Sequence, residues 1–438
     1  MKRILLILLV MLLSTALFCC QTSYADDAVG KGELITLERA VQIGLKKHPS
    51  VLAGAGTVQV SEAKEGQAYS GFFPQVDASA GYSRTKSGLS QSSGTGGAAV
   101  GTSHSFEQYS TGITAKQMLF DFGKTRTNVS IQKQNLEASK SDLVNTQEQV
   151  ILNVKQAYYN LLRAKRNLIV AAETVKQFQQ HLGQAKAFYE VGTKPKFDVT
   201  KAEVDLSNAK LGLIKAENAV RIAMVSLNNA MGLPDAPEYA VEDNLSFVKF
   251  EIGPDEAIKK AYDGRPELKA LAARRIAAEK AVSAAKTGYF PILTGNASLS
   301  WAGENPDVND SSWSAGISLS IPIFSGFLTK NQISEAKANL IVLTANEEAL
   351  RQNVLLEVKQ TYLSLNEAEE LIVTAELAVR QATENHEIAT GRYAAGVGNP
   401  IEVTDAEVGL SNARAAHIQA LYDYKVAAAS LEKAMGVR

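Results

Sequence analysis

Past its first 25 residues this chain has no cysteine, because the two it carries, Cys19 and Cys20, both fall near the N-terminus. A chain without thiols there has no disulfide staples, no cysteine-held metal and no thiol nucleophile. The same region also lacks any apolar run near the ~20 residues that a membrane helix needs, so membrane contact has to come from strands. Charge of one sign is missing as well. The formal net charge is −1, and loss of Lys2 and Arg3 with the first 25 residues leaves −3, which argues against nucleic acid as a partner. The five histidines are scattered singly, and there is no G-x-S-x-G, phosphate loop or H-E-x-x-H, so the sequence offers no metal site, cofactor site or catalytic machinery. Glycine and proline are absent from Lys124 to Gln180, which leaves one very long segment without a helix breaker.

What is present begins with a leader. Lys2 and Arg3 precede an apolar run from Ile4 to Leu13, and small residues end at Ser23-Tyr24-Ala25, the pattern of a secretory signal peptide over residues 1–25. An alternative reading makes Cys20 a lipidated residue of the lipobox-like Leu17-Phe18-Cys19-Cys20, in which Cys19 replaces the usual small residue.

The rest is written twice. FYEVGTKPKFDVTKAEVDLSNAK from Phe188 returns as RYAAGVGNPIEVTDAEVGLSNAR, with Gly192 pairing Gly396 and Asn208 pairing Asn412, each 204 positions apart. The same offset pairs Phe120 with Phe324 and Ala230-Met231-Gly232 with Ala434-Met435-Gly436. Upstream the offset becomes 217, pairing Pro49 with Pro266 and GFFPQV with GYFPIL, so the first copy holds 13 extra residues. They lie in a Gly/Ser-rich stretch, SGLSQSSGTGGAAVGTS from Ser87, with the composition of a flexible surface loop. The organisation expected is a first repeat over 26–232 with a strand hairpin at about 74–120, a linker or equatorial region over 233–265, and a second repeat over 266–438 with a strand hairpin at about 291–324.

From Val129 every seventh residue is apolar: Leu136, Leu143, Val150, Ala157, Ala164, Ala171, Phe178 and Ala185 continue the series. A second register, Val154, Leu161, Leu168, Val175, Leu182 and Tyr189, turns it into a heptad seam. A helix of roughly 65 residues at about 1.5 Å each is close to 100 Å long, too long to be covered inside one ordinary domain. Beyond the turn at Gly192–Pro195 the seam resumes in 3-4 spacing from Val199 to Ala230, and the second copy repeats it from Val403 to Ala434. Each half therefore reads as a long helical hairpin, left-handed in its supercoil. An ordinary bundle core would use the same seam.

Between the helices the period changes to two. Val76, Ala78, Ala80 and Tyr82, then Tyr109, Thr111, Ile113 and Ala115, alternate with small polar residues, as do Leu293 to Trp301 and Trp313 to Ile321. Four strands with one apolar face fit either a sheet with one wet face or an outer-membrane barrel. Four strands cannot close a barrel, so the membrane reading requires several chains.

The duplicated hairpins, the GFFPQV and GYFPIL entries, the MLFDFGKTR and IPIFSGFLTK exits and the VGT and AGV tips together resemble the TolC-like outer-membrane efflux protein family, over roughly Leu34 to Gly436. The resemblance implies a mainly α fold with a membrane β-barrel. Long helical hairpins would form a trimeric α-barrel tunnel, and four strands per chain would share a 12-stranded barrel. It also implies a homotrimer in outer-membrane lipid, working with a periplasmic adaptor and an inner-membrane transporter in efflux or type I secretion. Carried over residue by residue, Glu402 and Asp405 match the acids that narrow the periplasmic aperture, Asp198 and Tyr393 match an inter-hairpin latch, and Val191, Gly192, Thr193, Ala395, Gly396 and Val397 match adaptor-docking tips. Gly398 departs, standing where the family pattern has a latch arginine.

Structural roles compete with each of these. Asn399-Pro400-Ile401-Glu402 reads as N-cap, N1 proline and N3 glutamate, so Glu402 also fits a capping role. Gly192 and Gly396 fit helix C-caps, and Tyr189, Tyr393, His386 and His417 fall at seam positions where packing is sufficient reason for them. A periplasmic coiled-coil adaptor or scaffold is the alternative function; it accounts for the helices but not for the amphipathic strands.

Overall fold

The two heptad-bearing stretches become two helices of equal length. In the computed structural model, which describes residues 30, 32–86, 105–306 and 310–437, α3 spans Lys124–Glu190 and α7 spans Leu328–Ala394, with 67 residues each. The leader and Ser87–Ser103 lie outside the described residues. Each long helix turns back into a shorter one, α4 (Lys196–Met231) and α8 (Pro400–Ala434). The seam residues Val129, Leu136, Val150, Phe178 and Ala185 are buried in α3, as are Val403, Ala406, Leu410, Tyr424 and Leu431 in α8. Tyr189 leaves the seam and is half-exposed, while its repeat partner Tyr393 is fully buried. The duplicated position has thus diverged in packing.

Two further staves are made of helices broken in the middle. α1 (Leu37–Lys47) and α2 (Pro49–Tyr69) meet at His48, and α5 (Pro254–Gly264) and α6 (Pro266–Lys286) meet at Arg265. In both cases the residue before proline is extended, with ψ of 127° and 124°, as proline demands of its predecessor. The C-termini of α4 and α8 butt against these breaks. Gly232 and Gly436 are left-handed (φ 74° and 65°), and a Cβ on either would lie 2.8 Å from the backbone of His48 or of Arg265. Arg265, itself buried, donates from Nε to the Ala434 carbonyl at 2.8 Å and closes the second junction. Around the first junction, β1 (Leu34–Ile35) pairs in parallel with β4 (Ala240–Val241), and the Tyr158 hydroxyl lies 3.1 Å from the Ile35 carbonyl and 2.7 Å from that of Glu242. Segment 233–265 therefore holds β4 and α5.

The strands form one antiparallel sheet in the order β2 (Gln75–Lys86), β3 (Ser105–Phe120), β5 (Ile292–Gly303), β6 (Asp310–Ser320). Its register sorts the faces. On one, Ala78 opposes Ile113, Ile113 opposes Leu299 and Leu299 opposes Trp313. On the other, hydroxyl pairs Thr294–Ser318, Ser298–Ser314 and Ser300–Ser312 lie 2.7–2.8 Å apart. The sheet leads into α3 and α7 through Phe122 and Phe327, both left-handed (φ 54° and 64°), a conformation that costs roughly 1–2 kcal/mol for such residues. Aromatic packing holds the turn, with Phe122 stacked on Phe290 at 5.0 Å. Among the described residues no helix is long and apolar enough to cross a membrane.

Candidate functional site: the paired helical tips

The ends of the two hairpins lie side by side. In the first, Gly192 is left-handed (φ 74°) and the Thr193 backbone and hydroxyl both donate to the Phe188 carbonyl at 2.9 Å, closing the α3–α4 turn. In the second, Gly396 (φ 80°) donates to Tyr393, while Val397 and Gly398 both donate to the Arg392 carbonyl. Val191 and Val397 project at the tips with more than two thirds of their surface exposed, and Ala395 is exposed beside them. Lys194 joins the hairpins, donating from Nζ to the Gly398 carbonyl at 3.2 Å and lying 5.5 Å over the Tyr393 ring.

At Gly398 the structure gives the reason for the missing arginine. A Cβ there would stand 2.7 Å from the Tyr393 nitrogen and 2.9 Å from the Arg392 carbonyl carbon, so no side chain fits without moving the turn. The cation beside the acids comes instead from Arg392, whose Nε is 3.3 Å from Oε2 of Glu402. The sequence reading did not single out this arginine.

Glu402 and Asp405 both lie on the exposed side of the first turns of α8, and Asp405 has no ion-pair partner among the described residues. The N-cap is Asn399, which accepts from the Ile401 amide at 2.9 Å; the Glu402 carboxylate is turned to Arg392. The opposite side of the same turns, Val403, Thr404, Ala406 and Glu407, is buried against the first hairpin. There Thr404 donates to Asp205 at 2.8 Å, and Asp205 also takes Lys201 at 2.5 and 2.7 Å.

Asp198 and Tyr393 are both buried on facing helices, though the Tyr393 hydroxyl makes no hydrogen bond. Burial raises its pKa, and the nearby Asp198 charge raises it further. The ring packs 4.8 Å from His181 and 5.7 Å from Phe188. His386, a seam residue of α7, has Nε2 2.7 Å from Oε2 of buried Glu407, a contact not aligned as a hydrogen bond. Burial pushes the Glu407 carboxyl up to about 7 and holds both His181 and His386 below the usual imidazole range. Glu407 falls one place after the seam residue Ala406, outside the 3-4 series, and its repeat partner Glu203 is exposed, so no pattern in the sequence marks it.

Matched hairpins of this length, a split helix along each, and a sheet apolar on one face and hydroxylated on the other define a channel-forming subunit of the outer membrane. The model of the outer membrane efflux protein family matches residues 40–233 and 257–437, and the chain belongs to that family of channel proteins, which are not enzymes. It is 23% identical over 414 residues to the outer membrane efflux protein BepC of Brucella suis biovar 1 (strain 1330), covering 92% of this chain and 85% of the relative. It is 23% identical over 343 residues to the outer membrane protein TolC of Escherichia coli (strain K12), covering 75% and 69%. Its fold is that of the Campylobacter jejuni CmeC outer membrane channel, with a TM-score of 0.79 at 20% identity over 91% of this chain and 85% of that one. The chain's place is the cell outer membrane, with the helices extending into the periplasm.

Proposed function

We propose that three copies of this chain close a single 12-stranded barrel and a continuous helical tunnel, and that this duct passively exports cargo delivered by an inner-membrane transporter through a periplasmic adaptor docked at the helical tips. The observation that carries the reading is the four-stranded sheet, whose outer edges on β2 and β6 have no strand partner among the described residues. An apolar face such as Val76, Ile113, Ile317 and Leu319 belongs in lipid, and unpaired edge amides there cost several kcal/mol each, so the β2 edge of one copy must meet the β6 edge of the next. The tips Val191-Gly192-Thr193 and Ala395-Gly396-Val397 form the adaptor surface, since their apolar side chains are the most projecting on each hairpin end. Glu402 and Asp405 form the aperture, on the face of α8 turned away from the first hairpin, and buried Asp198 and Tyr393 make the latch behind it through packing and charge rather than a hydrogen bond. Native mass spectrometry of detergent-extracted protein tests the assembly: a trimer is expected, and a stable monomer retaining its strand spectrum would defeat the barrel.

A further inference from the structure

Directly behind the turn that carries Glu402 and Asp405, a cavity of about 120 Å³ lies between α3, α7 and α8. Phe178 and His181 of α3, His386 and Thr390 of α7, and Val403 and Glu407 of α8 line it, with three glutamines of α3. It has room for several waters. Its polar groups are poorly satisfied. His181 is 6% exposed and neither ring nitrogen has a hydrogen-bond partner, and Oε2 of Glu407 has only its unaligned approach to His386. Each such group weakens a packed seam by roughly 1–3 kcal/mol unless water reaches it. This layer is therefore a weak point in the packing of the first-repeat hairpin against the second.

The charges facing the cluster are mostly used elsewhere. From α3 and α8, Glu173 and Arg414 pair with each other at 2.6 Å; from α4, Lys201 and Asp205 pair at 2.5 Å. Asp198 of α4 and Glu387 and Tyr393 of α7 complete the surroundings. We propose that His181, His386 and Glu407 form a proton-operated clasp: the two hairpins stay packed behind the aperture while the cluster is uncharged, and part, opening the aperture, when charge enters it. This rests on the channel reading above and adds a regulator to it.

The directions follow from the shifts. Both histidines are lowered by burial, so their contribution to packing is present above the free imidazole value of 6.5 and is lost as pH falls below it. Glu407 is raised by burial to about 7 from 4.5, so its contribution is complete below 4.5 and is lost as pH rises through about 7. Between 4.5 and 6.5 parting lets up to two protons onto the histidines and releases the one on Glu407, a net uptake of at most one proton. Opening should be least near pH 7, where the protons on the parted histidines and on the packed Glu407 balance, rise by up to about tenfold per pH unit on the acid side, and stay nearly level on the alkaline side.

The test is single-channel open probability in planar bilayers from pH 4.5 to 8, in the Glu402→Gln, Asp405→Asn background so that titration in the aperture itself is removed. On adding His181→Gln and His386→Gln the acid rise should give way to an opening that increases with pH toward about 7, and on adding Glu407→Gln the acid rise should steepen. An acid rise that survives the double histidine change, or a flat profile in the parent background, overturns the clasp. Should a variant not assemble, or no conductance be seen at all, amide exchange of residues 403–410 in the natural protein, corrected for intrinsic pH dependence, decides it. Exchange that is least near pH 7 and rises on the acid side supports the clasp and a flat profile refutes it, whereas absent conductance alone counts against the channel reading.

Discussion

Asp405 and Lys201 occupy equivalent positions in the two repeats with opposite charge, and the structure sends them to different places. Lys201 pairs at 2.5 Å with buried Asp205 of its own helix, which accepts from Thr404 across the hairpins, whereas Asp405 is exposed with no ion-pair partner among the described residues. A residue that carries a charge without using it for packing is suited to act on something that passes. Replacing Glu402 by Gln and Asp405 by Asn should weaken block by a trivalent cation roughly tenfold, about 1.4 kcal/mol, in bilayer recordings. The melting temperature should barely move, because an exposed pair such as Arg392–Glu402 contributes at most about 1 kcal/mol. The neighbouring Gly398→Ala should do the reverse. Its Cβ would meet the Tyr393 nitrogen at 2.7 Å, so overpacking of roughly 1–3 kcal/mol should loosen the tip, read as increased amide exchange of residues 392–399.

At the scale of elements, three glycines share one backbone conformation and differ in what surrounds them. Gly192, Gly232 and Gly436 have φ of 74°, 74° and 65°, yet only the last two abut backbone, at the breaks between α1 and α2 and between α5 and α6. Alanine at Gly192 meets nothing within 4 Å and should cost only its dihedral strain, about 1 kcal/mol. Alanine at Gly232 or Gly436 should cost that and roughly 1–3 kcal/mol more, because the end of α4 or α8 must back away from His48 or Arg265. Urea unfolding of the three variants side by side should rank Gly192→Ala as the mildest, and equal losses would show that the junctions yield freely.

For the molecule as a whole, matched length is the constraint that duplication satisfies. α3 and α7 have 67 residues each, and their returns α4 and α8 have 36 and 35. Removing one heptad from each leg of the first hairpin, 168–174 and 209–215, shortens it by about 10 Å against the second while leaving every seam in register. Such a chain should fail to form the proposed trimer, seen as loss of the heat-modifiable species on gels. Removing the corresponding heptads 372–378 and 413–419 as well should restore it. Large apolar residues left exposed on the single chain, among them Ile341, Leu356, Leu363 and Val373 on α7, are the surfaces those neighbouring copies would cover.

The sequence by itself determined whatever depends on period and repetition. A seven-residue apolar repeat without glycine or proline reads as a long helix, alternation over ten residues as a strand with one apolar face, and a self-match at an offset of 204 residues as two copies of one unit. The family was legible for the same reason, since its character lies in the order of such elements. What the tertiary structure alone decided are the contacts between repeats, because no local pattern says which face of one hairpin meets the other. Tyr189 and Tyr393 look alike in sequence, yet one is half-exposed and the other fully buried. Arg392 became the partner of Glu402 because the turn at Gly398 has no room for a side chain. His181, His386 and Glu407 come from three helices and share a cavity only once the hairpins pack, and it is burial there, a property of the assembled seam, that favours their uncharged forms.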